Sequence, residues 1–316
     1  MGKTAFLFPG QGSQSVGMMK EFYDDYESVR NVFRSADEAL GFSITEMCFK
    51  GPEDQLRLTF NTQPAILTAS IAAAEVLREH GVVPEIAAGH SLGEYSALVI
   101  AGALSFKDAV RIVRKRGQFM QEAVPVGQGS MAAVMGMDDS SLIVSICKKI
   151  ELETGRAVQA VNFNCPGQVV IAGAAEGVDR AVEALKLAGA KRAVLLPVSA
   201  PFHSSLMQPA SLRLAEEFKT ISFKDAKLPV VANVTAEQVT VADEIEELLV
   251  RQAASPVLWD SSIRYMIDKG VECFIEVGPG KVLTGFNKKI AKDAAALNVE
   301  DNSSLEKTLA YFKEVR

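Results

Sequence analysis

"IAAGHSLGEYSALVIAGAL", residues 86–104, passes from a short apolar run into a glycine-bracketed turn and then into helix-like sequence. Within it, Gly89-His90-Ser91-Leu92-Gly93 satisfies G-x-S-x-G. That pattern puts the serine on a tight strand-to-helix turn, exposed at the helix N-terminus, with glycines where side chains would clash. The same succession recurs: Thr4 to Phe8 runs into Pro9-Gly10, and Cys273 to Val277 runs into Gly278-Pro279-Gly280. Strand, glycine turn and helix repeated in this way predict an α/β sheet with the active loops at the strand ends.

The middle of the chain follows another rhythm. Strand (Met131 to Met135), helix (Asp138 to Ile150), strands (Ala157 to Asn162, Gln168 to Ala172), helix (Gly177 to Ala188) and strand (Ala193 to Pro197) give the order βαββαβ, a ferredoxin-like unit. The expected plan is therefore a large α/β-hydrolase-like domain with a parallel core, residues 1–126 and 198–316, interrupted by a ferredoxin-like subdomain at 127–197, with a cleft between them. A capping box at Ser303-Ser304-Leu305-Glu306 is expected to open a final surface helix.

Composition narrows the function. With 316 residues, 48% hydrophobic, the chain can fill a substantial core. Its net charge of −6 argues against nucleic acid as a general partner. Four scattered cysteines and three histidines support neither a metal site nor a disulfide framework. Apolar runs such as Ala97 to Leu104 are far short of a membrane span, which takes about 18 residues, and no leader pattern is seen, so a cytoplasmic protein is expected. Lys281, Lys288, Lys289 and Lys292 offer a local basic patch, read either as a solvated helix face or as a surface for an acidic partner.

Ser91 is the candidate nucleophile, and it needs a base. His80 precedes Gly81 and reads as a helix C-terminal residue; His90 adjoins Ser91 and should point the other way, as buried support. His203, in the proline-flanked loop after the insertion, is the expected base. No carboxylate stands out as a third member, and a backbone carbonyl is an alternative acceptor for its Nδ1–H. On the helix read from Lys107 to Glu122, residues spaced by about 100° gather Ala109, Val110, Ile112, Val113, Gly117 and Met120 into one apolar arc. Arg116 falls inside it, so it needs either a protein carboxylate or a ligand carboxylate. "FPGQGSQ", residues 8–14, fails the dinucleotide fingerprint because Ser15 stands where the third glycine belongs.

Taken together, "FPGQGSQ" (8–14), "TQPAILTAS" (62–70), "GHSLGEYSAL" (89–98), "RGQFMQEAVP" (116–125), "VNFNCPGQVVIAG" (161–173), "SAPFH" (199–203) and "EVGPGKVL" (276–283) resemble the malonyl-CoA:acyl carrier protein transacylase family over nearly the whole chain. The resemblance implies an acyltransferase of fatty acid synthesis with Ser91 as nucleophile, His203 as base and Arg116 as clamp on the malonyl carboxylate. It implies backbone N–H groups of Gln11 and Leu92 as the oxyanion hole, and Gln252 orienting His203 through its main-chain carbonyl. Phe202, in the resemblance, leaves little room for an α-methyl branch, and Gln63, Met120, Asn162 and Gly280 are expected to line the cleft. The implied partners are malonyl-CoA and an acidic acyl carrier protein, for which the lysine patch is the candidate docking surface, with no cofactor; charge and hydropathy add no nucleic acid and no membrane, and the sequence leaves open whether the enzyme is a monomer. The rivals are a serine hydrolase or thioesterase, opposed by Arg116 and the missing triad acid, and a non-catalytic binding module, opposed by the presence of both Ser91 and His203.

Overall fold

The computed structural model describes residues 2–198 and 200–315; Ser199, within the "SAPFH" stretch, lies outside them. Among the described residues, ten strands form two sheets. In the first, β1 (Lys3–Phe8), β2 (Ile86–Gly89), β7 (Val230–Val231), β8 (Gln238–Val239), β9 (Val271–Val277) and β10 (Ala295–Val299) stand in the order β10-β9-β1-β2-β7-β8. All neighbours are parallel except the edge pair β7 and β8. β1 and β2 are almost wholly buried, as expected of parallel strands covered on both faces. Because Phe8 pairs with Gly89 and Leu7 with Glu276, the three glycine turns emerge side by side at the C-terminal edge, where open α/β sheets bind ligands.

The second sheet runs β4-β5-β3-β6 and is antiparallel throughout: β3 (Gly129–Met135), β4 (Val158–Cys165), β5 (Gln168–Ala174) and β6 (Arg192–Leu195). With the Ser140–Thr154 and Ala175–Leu187 helices between its strands, this is the ferredoxin-like order. One face packs on those helices through Ile143, Ile171, Val178 and Leu185. The other gathers Met131, Val161, Val170 and Ala172 with Leu196, Val198 and Phe202, turned towards the first sheet's active edge. Phe163 N–H donates to the Val257 carbonyl (2.9 Å) and Val257 N–H to the Val161 carbonyl (2.8 Å), which ties the two sheets together beside the cleft.

Two long helices carry the polar side chains of the cleft. The Thr59–Glu79 helix, with Pro64 inside it, is buried along most of its length and brings in Gln63. The Phe106–Glu122 helix starts on Ser105, whose hydroxyl accepts from Asp108 N–H, and buries Arg116 with the apolar arc. Gly117 lets the pair approach: a Cβ there would lie 2.6 Å from Phe60 Cα. Gly117→Ala is therefore expected to push the helices apart and cost about 1–3 kcal/mol, read as a lower denaturation midpoint.

The final helix, Asn302–Val315, is capped differently from the expectation. Asp301 Oδ1 accepts from Ser304 N–H (2.8 Å), and Ser304 Oγ accepts from Asp301 N–H (3.0 Å). The reciprocal box is thus Asp301 with Ser304, two residues upstream of the predicted one, because the aspartate is the stronger acceptor for the first turn.

Candidate active site

The elbow is held by packing that only glycine permits. A Cβ on Gly89 would lie 1.9 Å from the Gly93 carbonyl carbon, and one on Gly93 would lie 2.0 Å from the Phe8 carbonyl oxygen. Between them Ser91 adopts φ 53°, a left-handed conformation unusual for a non-glycine residue. Asn233, two residues past β7, fixes this turn: its Oδ1 accepts from Ser91 N–H (2.7 Å) and its Nδ2 donates to the Gly89 carbonyl (2.7 Å).

His203, itself at φ 64° and buried, reaches Ser91 from the chain returning after the second sheet. Its Nε2 lies 2.7 Å from Ser91 Oγ, and its Nδ1 lies 2.9 Å from the Gln252 main-chain oxygen. A carbonyl can only accept, so Nδ1 carries the proton and the Nε2 lone pair faces the serine hydroxyl. Burial first, and then the Arg116 charge, depress the imidazole pKa to about 3, which keeps the ring neutral.

Arg116 is 1% exposed and makes no ion pair with a carboxylate among the described residues. Its Nη1 donates to Gln63 Oε1 (2.9 Å), and its Nη2 donates to Gln252 Oε1 (2.9 Å) and to Ser91 Oγ (3.0 Å). The guanidinium also lies over the Tyr95 ring, 5.5 Å from its centroid. The alternative of a structural salt bridge, open on sequence, does not describe this geometry.

Ser91, His203 and Arg116 converge on a cavity of about 120 Å³ whose walls include Gln11, Gln63, Leu92, Met120, Asn162 and Phe202. Neither Gln11 N–H nor Leu92 N–H donates a hydrogen bond within the chain among the described residues, so both are free for a ligand. Asn162 Oδ1 is buried without a partner. Gly280 does not line this cavity; it packs against Ser13 and donates its N–H to Glu300. His90 accompanies Ser91 at the cavity wall, held by Asn164 (2.9 Å) and with its ring tilted against Trp259, centroids 5.6 Å apart. Burial lowers its pKa.

Three participants have no counterpart in the sequence reading: Asn233, the side chain of Gln252, and Glu94. Glu94 is 2% exposed, accepts from Asn233 N–H (3.0 Å) and Gln252 Nε2 (2.9 Å), and is pushed up to about 7 by burial. A carboxyl raised in the folded state from its ordinary 4.5 contributes stability that is lost as pH rises through 7. Glu94→Gln removes that loss, so its stability relative to the wild type should grow between pH 4.5 and 7, by up to about 3 kcal/mol. Urea unfolding of both proteins at pH 5 and pH 8 checks this; a constant difference contradicts it.

Away from the cleft, Lys281, Lys288, Lys289 and Lys292 are all exposed, on and beside the Val282–Ile290 helix. Lys281 and Lys288 share a surface groove with Lys307. No helix among the described residues is long and apolar enough to cross a membrane, and no group of three or more metal-ligating side chains is found among them.

The acyl transferase domain family matches residues 5–307. Malonyl CoA-acyl carrier protein transacylase of Bacillus subtilis is 50% identical over 314 residues, 99% of this chain and 98% of its own. An acyl carrier protein S-malonyltransferase crystal structure from Vibrio cholerae superposes with a TM-score of 0.94 at 46% identity, covering 97% of this chain and 99% of its own. A malonyl-transacylase solved in complex with a type II PKS acyl-carrier protein gives 0.94 at 45% identity, covering 98% and 99%.

Proposed function

The chain belongs to the acyl transferase family, among the malonyl-CoA:acyl carrier protein transacylases, and from that premise we propose that it transfers malonyl from malonyl-CoA to the phosphopantetheine thiol of an acyl carrier protein through an ester on Ser91. The observation that carries this reading is the convergence of His203 Nε2 (2.7 Å) and Arg116 Nη2 (3.0 Å) on Ser91 Oγ: a base and an unneutralised cation at one nucleophile.

Ser91 Oγ attacks the thioester carbonyl as its proton passes to His203 Nε2. The carbonyl oxygen becomes an oxyanion, met by the Gln11 and Leu92 N–H groups, each supplying about 2.7–4 kcal/mol. Collapse breaks the C–S bond, and the sulfur of coenzyme A leaves with the proton from His203. The carrier thiol then repeats these steps in reverse order, so one cleft serves both thiols in turn. Arg116 pairs with the malonyl carboxylate, which also offsets the positive charge that depresses His203, so the base strengthens when the correct acyl group is bound.

In this reading residues 127–197 form the subdomain that walls one side of the cleft, residues 1–126 and 198–316 the catalytic body, and Phe202 crowds the α-carbon of the acyl group. The lysine patch receives the acidic carrier. Reversing Lys281, Lys288 and Lys292 to Glu is expected to raise the carrier KM and flatten its salt dependence while leaving Ser91 malonylation unaffected. An unchanged carrier KM would place docking elsewhere.

A further inference from the structure

We propose that Glu94 is a positioning residue for acyl-group selection: acting through the Gln252 side-chain amide, it holds Arg116 against Ser91. This rests on the reading of Arg116 as the clamp for the acyl carboxylate. Gln252 is wholly buried and hydrogen-bonds with Ser91, His203, Arg116 and Glu94. Its main-chain oxygen accepts from His203, its Oε1 accepts from Arg116 Nη2, and its Nε2 donates both to the Ser91 carbonyl and to Glu94 Oε2, each at 2.9 Å.

A carboxamide has one donor end and one acceptor end. The guanidinium demands the oxygen, while Glu94 and the Ser91 carbonyl demand the nitrogen. Turned over, the amide would set N–H against N–H at Arg116 and oxygen against two acceptors on the other side. Glu94 therefore helps decide which end Arg116 meets. Its placement also preserves the charge of the clamp: a carboxylate directly on Arg116 would compete with the substrate, whereas Glu94 reaches Arg116 only through a neutral amide. The same Glu94 oxygen takes the Asn233 N–H, so it braces the elbow from a second side. What matters is an acceptor at this point rather than its charge, because Oε2 accepts whether or not the carboxyl is protonated.

The test is the ratio of malonyl to acetyl loading on Ser91, measured by intact-protein mass after brief exposure to malonyl-CoA or acetyl-CoA. Glu94→Ala should lower the ratio about tenfold, the scale of leaving one buried donor, the Gln252 amide, without its acceptor. Glu94→Gln, whose amide oxygen can occupy the place of Oε2, should keep it within about twofold. If Glu94 acts through Gln252, the Glu94→Ala/Gln252→Ala double variant should be no less selective than Gln252→Ala alone. Glu94→Leu, which keeps much of the volume but has no acceptor, replaces Glu94→Ala if that variant fails to fold, with the same ratio expected. An unmoved ratio in the acceptor-free variant, a Gln variant as unselective as it, or full additivity in the double variant overturns the inference. A wild type that takes no malonyl overturns the functional reading and this inference with it; a wild type that loads malonyl beside an unmoved ratio overturns the inference alone.

Discussion

Arg116→Ala is expected to lower malonylation of Ser91 by about 10²–10³-fold relative to acetylation, the equivalent of losing one buried, charge-assisted carboxylate pair. The expectation follows from where the guanidinium is held. Gln63 and Gln252 grip it with neutral oxygens, and among the described residues its Nε has no hydrogen-bond partner and no carboxylate is paired with it. A buried cation in that state favours an anionic ligand strongly. Arg116→Lys separates fork from charge: it should recover part of the malonyl rate, since an ammonium cannot reproduce the planar, multiply bonded grip. Equal losses of malonyl and acetyl loading in Arg116→Ala would make the residue purely structural.

His203→Ala should lower malonyl transfer by about 10²–10⁴-fold, the usual worth of a positioned base. The pH dependence of the wild type is the sharper expectation. In the free enzyme burial and the Arg116 charge hold the imidazole pKa near 3, so the acid limb of kcat/KM should fall well below the ordinary histidine value of 6.5. In Arg116→Ala one of the two depressing causes is gone, and that limb should move upwards. A limb at 6.5 in both proteins would mean that His203 stands in a solvated site.

Much of this arrangement is legible along the chain because it is local. The G-x-S-x-G elbow is set by contacts between Gly89, Gly93 and β1, and helix phase alone turns Arg116 inwards. The parallel sheet and the βαββαβ unit follow from runs and turns of standard length, with ends shifted by up to four residues, as for the Ser140–Thr154 helix, which runs four residues past Ile150. What escapes the sequence is long-range. Asn233 lies 142 residues from Ser91, in the turn after a strand of only two residues, and no spacing marks it. Gln252 is visible through the family resemblance for its carbonyl, yet its side chain, 136 residues from Arg116, does as much structurally. Glu94 left one signal, a charge at the start of a helix otherwise apolar or small in its first turns, and its meaning depends on partners that only folding supplies. Gly280 stands away from the cavity because its glycine turn, although beside the active edge, packs against Ser13 instead.

The covalent route through Ser91 is the centre of the account, and intact-protein mass tests it most directly. The protein is mixed briefly with malonyl-CoA, beside Ser91→Ala as control, and phosphopantetheinylated carrier protein is then added. A malonyl adduct is expected on the wild type, none on Ser91→Ala, and the adduct should move to the carrier. An adduct lost to water while the carrier stays unloaded, or carrier loading by Ser91→Ala at the wild-type rate, would contradict it.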